Sequence, residues 1–317
     1  MGFPGYYNAE DVGKRYAPRL ALVSEEASTA NLTLSANDKI RSVLVMIDMQ
    51  QDFVMPEIKD DKERVIQAAG SLKVEGAVDD VRRLIEFIYY CPDQISSIVL
   101  TLDQHIPWQI FFSRWWKKRD GTSPIPFTPI TSEAVQAKDF RPLLEKNWSL
   151  DYPVKLEQTS QAPLFIWPDH CMIGTDGAAL VPALAEAVHW LSITRGIQPI
   201  YLFKGTVPKT EHYGPFCPCV EVTNNPQGGL NTIMLDQIAK NDRILFAGEA
   251  EDFCVHEGMV QVLDYFGKLH PDALKKIQFL TDCTSMVFPD NRQAADDFLQ
   301  EMANKGIQIT TTQKLAS

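Results

Sequence analysis

The spacing of apolar residues changes character repeatedly along this chain. Residues 42–48, SVLVMID, form an unbroken apolar run ending on an acid, as a strand buried on both faces requires. Residues 79–90 instead place Val81, Leu84, Ile85 and Ile88 on one helical face. The alternation continues with strands at 95–100, 199–203, 243–247, 276–280 and 306–311. Helices are expected at 178–193, 231–239, 255–266 and 292–302. In the third of these helices Val255, Met259, Val262, Leu263 and Phe266 carry the helical period. Strand and helix alternate from residue 42 onward, which predicts an α/β fold: a doubly wound, mostly parallel sheet of about six strands with helices on both faces. No internal repeat is visible.

Two stretches stand outside that alternation. Residues 1–38 read as an N-terminal arm, with a short helix at 9–16 capped by Asn8. Residues 106–163 form a long insertion after the second strand, holding Trp108, Trp115, Trp116, a basic cluster at 117–119 and a Pro- and Thr-rich tract at 123–131. A segment of this length between two elements is a lid, an assembly element or disorder, and its aromatic content argues against disorder. Residues 39–317 are read as one domain that contains this insertion.

Composition narrows the function. At 317 residues and 45% hydrophobic, the chain can bury a full core. A net charge of −11 argues against nucleic acid or an anionic membrane as partner. Six cysteines without a disulfide-like framework suit a reducing compartment, so a cytoplasmic location is expected. No window approaches 18 apolar residues, and neither a signal core nor a myristoylation pattern follows Met1.

Reactive groups gather where the predicted strands end, and parallel strands deliver their C-terminal ends to one edge of the sheet. Asp48, Lys204 and Cys254 each follow a different strand. Cys254 falls on a tight strand-to-helix turn, where unpaired N–H groups and the helix dipole favour a thiolate and could also hold an oxyanion. With Asp48 as proton carrier and Lys204 as a positive charge, the set suits acyl transfer through a thioester. A structural ion pair beside a buried bystander cysteine uses the same residues. Asp103 and His105 leave the same face of an extended segment, and His170 could close a divalent-metal site with them. A hydrogen-bonded core histidine is the alternative for His170. His212, Cys217 and Cys219 lack an evident fourth ligand for a second metal, and the single proline between the two cysteines disfavours a disulfide.

As a set, these residues resemble the nicotinamidase branch of the isochorismatase-like cysteine hydrolases. The pieces that carry the resemblance are IDMQQDF around Asp48, DQH with Asp103 and His105, WPDHC with Trp167 and His170, FKG with Lys204, YGPF from Tyr213, and AGEAEDFCV with Cys254. They occur in family order over roughly residues 42–312. The resemblance implies an Asp48, Lys204, Cys254 triad and an oxyanion hole from the backbone N–H groups of Ala250 and Cys254. It also implies a cis peptide between Glu249 and Ala250, and one divalent metal (Zn, Fe or Mn) per chain on Asp103, His105 and His170. Phe53 and Trp167 match aromatic walls around a ring, and Tyr213 falls in the same substrate-binding set. The implied activity is deamidation of a small aromatic carboxamide, first nicotinamide to nicotinate and ammonia as in NAD salvage, by a homo-oligomer.

The departures put the substrate in question. About sixty residues separate His105 from Trp167, the loop after Lys204 is long, and Glu251-Asp252 precedes Phe253-Cys254 where the family more often has Thr-Glu or Ser-Asp. A metal-free amidase of maleamate, ureidoacrylate or carbamoylsarcosine type is the nearest alternative. A catalytically silent relative that binds a partner through the Trp115-Trp116 insertion is another.

Overall fold

Strand β1, Ser42–Ile47, is buried at every position, and its continuous Val-Leu-Val-Met-Ile run has neighbours on both edges. In the computed structural model, which describes residues 2–159 and 163–317, it pairs in parallel with β2, Ser97–Asp103, and with β4, Arg243–Gly248. Met1 of the arm and residues 160–162 of the insertion lie outside the described residues. Strands β3, Ile200–Lys204, β5, Ile277–Leu280, and β6, Gln308–Thr310, complete a six-stranded sheet in the order β6-β5-β4-β1-β2-β3, with every pairing parallel. Between β4 and β1 the connections leave in opposite directions, so a crevice forms at the strands' C-terminal ends there.

Helices α1, Leu20–Thr29, α2, Ala77–Tyr90, and α4, Pro182–Arg195, pack together on one side of the sheet. Helix α3, Lys146–Thr159, lies within the insertion. Helices α5, Thr232–Ala239, α6, His256–Leu269, and α7, Arg292–Asn304, form the second layer. Among the described residues, no helix is long and apolar enough to cross a membrane.

The N-terminal stretch differs from the expected arm. Asn8 does cap a turn, accepting from Glu10 N–H, but the turn ends at Asp11 and the substantial helix comes later, as α1. That helix packs on α4, where Arg19 pairs with buried Glu186 at 2.9 Å and Arg195 with Asp38 at 2.6 Å. The insertion is built around helix α3 and short strands at Trp116–Lys118 and Phe140–Pro142. Its pair of tryptophans is not an exposed binding or assembly surface: Trp115 and Trp116 are 2% and 0% exposed. Their indole N–H groups donate to Ser149 Oγ and Ile110 O, so burial leaves neither donor orphaned.

Candidate active site

Asp48 directly follows β1 in a left-handed conformation, φ 49°, which turns its carboxylate back over the sheet edge. Lys204 is the last residue of β3, and Cys254 sits in a π-helical turn, Glu251–Val255, between β4 and α6. The three side chains meet. Lys204 Nζ lies 3.0 Å from Asp48 Oδ2 and 3.6 Å from Cys254 Sγ, and its N–H also donates to His212 O at 2.9 Å. A second carboxylate, Asp103, approaches the same ammonium at 3.1 Å. Asp48, Asp103 and Cys254 offer atoms within 4.8 Å of one another, but the lysine already supplies the cation among them.

Burial governs the protonation of this group. It works against the Lys204 charge, but Asp103 and Asp48 outweigh it and raise the ammonium well above its ordinary value. Burial raises the Asp48 carboxyl despite the lysine, so this acid holds a proton more readily than a surface aspartate. The Cys254 thiol is likewise pushed well above its usual value by burial, with Lys204 opposing. This corrects the expectation of a thiolate favoured by a helix N-terminus: Cys254 is 8% exposed, and desolvation exceeds the attraction of the lysine. For this thiol to act as a nucleophile, a proton acceptor at the sulfur would be needed.

The turn itself has the expected backbone. The Glu249–Ala250 peptide is cis. The N–H groups of Phe253 and Val255 both return to Ala250 O, while that of Ala250 makes no hydrogen bond among the described residues. Ala250 and Cys254 both line the crevice, together with Phe53, Trp167, Tyr213, Phe253, Leu72 and Val287. The side chains expected to hold a ring are thus on one wall system.

Asp103, His105 and His170 also converge. Asp103 Oδ2 stands 3.1 Å from His105 Nε2 and 3.9 Å from His170 Nε2. Each imidazole uses Nδ1 toward a backbone carbonyl, Gly205 O at 3.3 Å and Pro168 O at 2.8 Å, which leaves both Nε2 atoms facing the carboxylate. Fixing one ring nitrogen so that the other is free is the support a metal-ligating histidine has. Burial lowers His170 to about 3, and the neutral imidazole is the form that ligates. The donor set fits a divalent transition metal with open positions.

Several residues that build this crevice were not anticipated. Thr101 Oγ1 donates to Asp48 Oδ1 at 2.6 Å, leaving Oδ2 for the lysine. Gln50 clamps the Asp103 backbone, accepting from its N–H and donating to its C=O, both at 2.7 Å. Asp52 accepts from Cys171 N–H at 2.7 Å and so fixes the turn after His170. Gly205, at φ 83°, leaves no room for a side chain: a Cβ there would lie 2.4 Å from Asp103 Oδ1. Gln50 and Asp52 belong to the quoted IDMQQDF motif, which was their only signal.

Glu211 had no signal at all. It lies buried in the crevice wall, accepting from Trp167 Nε1 at 3.1 Å and from His212 N–H at 2.9 Å, and burial raises its carboxyl to about 7. His212 Nδ1 accepts from Gly205 N–H and Cys219 Sγ accepts from Tyr213 N–H. These contacts hold the loop.

No family model matches the sequence, and no curated protein does. Solved structures do resemble it. A nicotinamidase pyrazinamidase from Acinetobacter baumanii aligns at TM-score 0.53 and 19% identity over 88% of this chain and 100% of its own. A yeast nicotinamidase bound to the inhibitor nicotinaldehyde aligns at 0.53 and 18% identity, over 85% of this chain and 99% of its own. Most residues differ, but this chain has the α/β fold of those nicotinamidase structures over nearly their whole length.

Proposed function

We propose that this protein is a cysteine amidohydrolase that converts a small aromatic carboxamide, nicotinamide first, to the acid and ammonia. The observation that carries the reading is the contact of Lys204 with Asp48, Asp103 and Cys254 at the ends of separate strands, beside an aromatic crevice and a three-ligand metal set.

In this reading Asp48 takes the Cys254 thiol proton as sulfur attacks the amide carbon. The carbonyl oxygen gains the charge, and the N–H groups of Ala250 and Cys254 receive it. Asp48 then protonates the departing nitrogen, ammonia leaves, and a thioester remains on Cys254. Water, deprotonated by Asp48, attacks the thioester and releases the carboxylic acid with the thiol restored. Thr101 keeps Asp48 aimed by holding its other oxygen. Lys204 keeps negative charge tolerable in this buried site. Phe53 and Trp167 position a flat ring, and Tyr213 and Phe253 close the wall. A divalent metal on Asp103, His105 and His170 would supply Lewis acidity toward a ring nitrogen or a water. For nicotinamide, the reaction is the deamidation step of NAD salvage.

The test is ammonia release from nicotinamide by purified protein, with metal quantified on the same sample. Release with about one metal per chain is expected if Asp103, His105 and His170 hold it. Release from maleamate-type amides alone, in metal-free protein, would replace this substrate assignment.

A further inference from the structure

A second and larger hollow lies next to the crevice. A cavity of about 270 Å³ opens between the Glu251–Val255 turn, the start of α6 and helix α7. Its floor is Met259, Phe279 and Met302, each at most 1% exposed, so it reaches into the core. Phe253 and Tyr213 line both this cavity and the crevice and are therefore the partition between them. The Phe253 ring centre is 6.2 Å from that of Phe165 and 5.8 Å from that of Phe288, and Phe298 stands on the α7 side.

The acids around this ring cluster are not equivalent. Both Glu251 oxygens accept from Arg292 at 2.8 Å. Asp252 accepts from the N–H groups of Val287 and Phe288 at 2.9 Å. Glu257 has neither a hydrogen bond nor an ion pair among the described residues, although it lines the cavity and is half-buried. Burial alone raises its carboxyl to about 7. An unpaired acid in a cavity lined by several phenylalanines is a poor host for an anion and gives a neutral guest no charge to pair with. It suits a cation, because ring faces and the acid attract positive charge together.

We infer that this cavity binds an organic monocation with a compact apolar body, an aryl or short-alkyl ammonium whose charge rests between Glu257 and the phenylalanine rings. The net charge of −11 favours the encounter. Because Phe253 is the shared wall, the guest fixes one side of the crevice without entering it.

The test is calorimetry on the full chain with benzyltrimethylammonium, compared with 2-phenylethanol and phenylacetate. Saturable binding of the cation is expected, with the alcohol and the carboxylate each bound at least about fivefold more weakly. Glu257→Gln is expected to weaken cation binding about tenfold. Ala295→Trp, which fills the cavity from α7, is expected to abolish it. Cys254→Ala is expected to bind as the parent does, so the result stands apart from any amidase activity. Should Ala295→Trp fail to fold, the Glu257→Gln arm still decides. No binding by the parent protein, equal binding of the three probes, or binding insensitive to Glu257→Gln would overturn the assignment.

Discussion

The crevice at the ends of β1 to β4 and the insertion at 106–163 meet around Glu211, and they are built on opposite plans. In the crevice, reactive groups are placed by the sheet: Asp48, Asp103 and Lys204 stand at or just beyond strand ends, and their positions follow from pairing register. The insertion contributes none of the groups assigned to chemistry. It holds the loop after β3 by single polar contacts, with Trp148 Nε1 donating to Lys209 O at 2.5 Å and Thr159 Oγ1 to Cys219 O at 2.7 Å. Tyr152 OH accepts from Glu211 N–H at 2.6 Å, and Ile110 N–H donates to Pro208 O. The insertion is thus a buttress: it fixes the loop that carries Glu211, His212 and Tyr213. If that contrast is right, changes at the strand ends abolish chemistry, whereas changes in the insertion alter substrate affinity first.

The largest effect is expected from Cys254→Ala. Turnover should fall roughly 10³-fold or more, since one member of a unit that acts together is gone. Melting should stay close to that of the parent, because the change deletes a single buried sulfur. A rate assay paired with a thermal melt checks both. Lys204→Met should follow, losing activity and stability together. It leaves Asp48 and Asp103 buried without their shared cation, a loss of about 3–5 kcal/mol for a broken buried pair. Denaturant unfolding reads it, and an unchanged midpoint would mean that the lysine is not the electrostatic centre.

Gly205→Ala comes next. The added methyl would press on Asp103 and His105 at a positive φ, and strain of roughly 1–3 kcal/mol is expected there. Metal content should fall while the distant helices keep their stability. Tyr152→Phe should be smallest. It leaves the buried Glu211 N–H unpaired at a cost of about 1–3 kcal/mol, and a rise in KM with kcat nearly kept is expected. A pure fall in kcat would break the distinction between strand-end chemistry and loop support.

The same contrast explains what could be read from the chain before its structure. The sheet announced itself because β1 and β4 are continuous apolar runs, and because the motifs at their ends hold unusual polar residues in a fixed order. Asp48, Asp103, His105, His170, Lys204 and Cys254 were singled out from such motifs, and the structure brings them together. Helix α3 was hidden: Pro153 lies inside it, and an internal proline argues against a helix unless surrounding packing outweighs its cost. Trp115 and Trp116 looked like a surface because nothing local reveals that Ser149 and Ile110 accept from their indole N–H groups. Glu211 was invisible for a related reason, since its partners Trp167 and Tyr152 lie 44 and 59 positions away along the chain. The ionisation expected of Cys254 failed on burial. Sequence showed the turn, but not that the sulfur would be closed in beside two carboxylates.

The most direct measurement is peptide mass mapping of wild-type protein acid-quenched during turnover of nicotinamide. The account predicts an acyl group, gained with loss of ammonia, on the peptide containing Cys254 and on no other cysteine. Steady turnover with the acyl group on a different residue, or undiminished turnover in the Cys254→Ala protein, would contradict it.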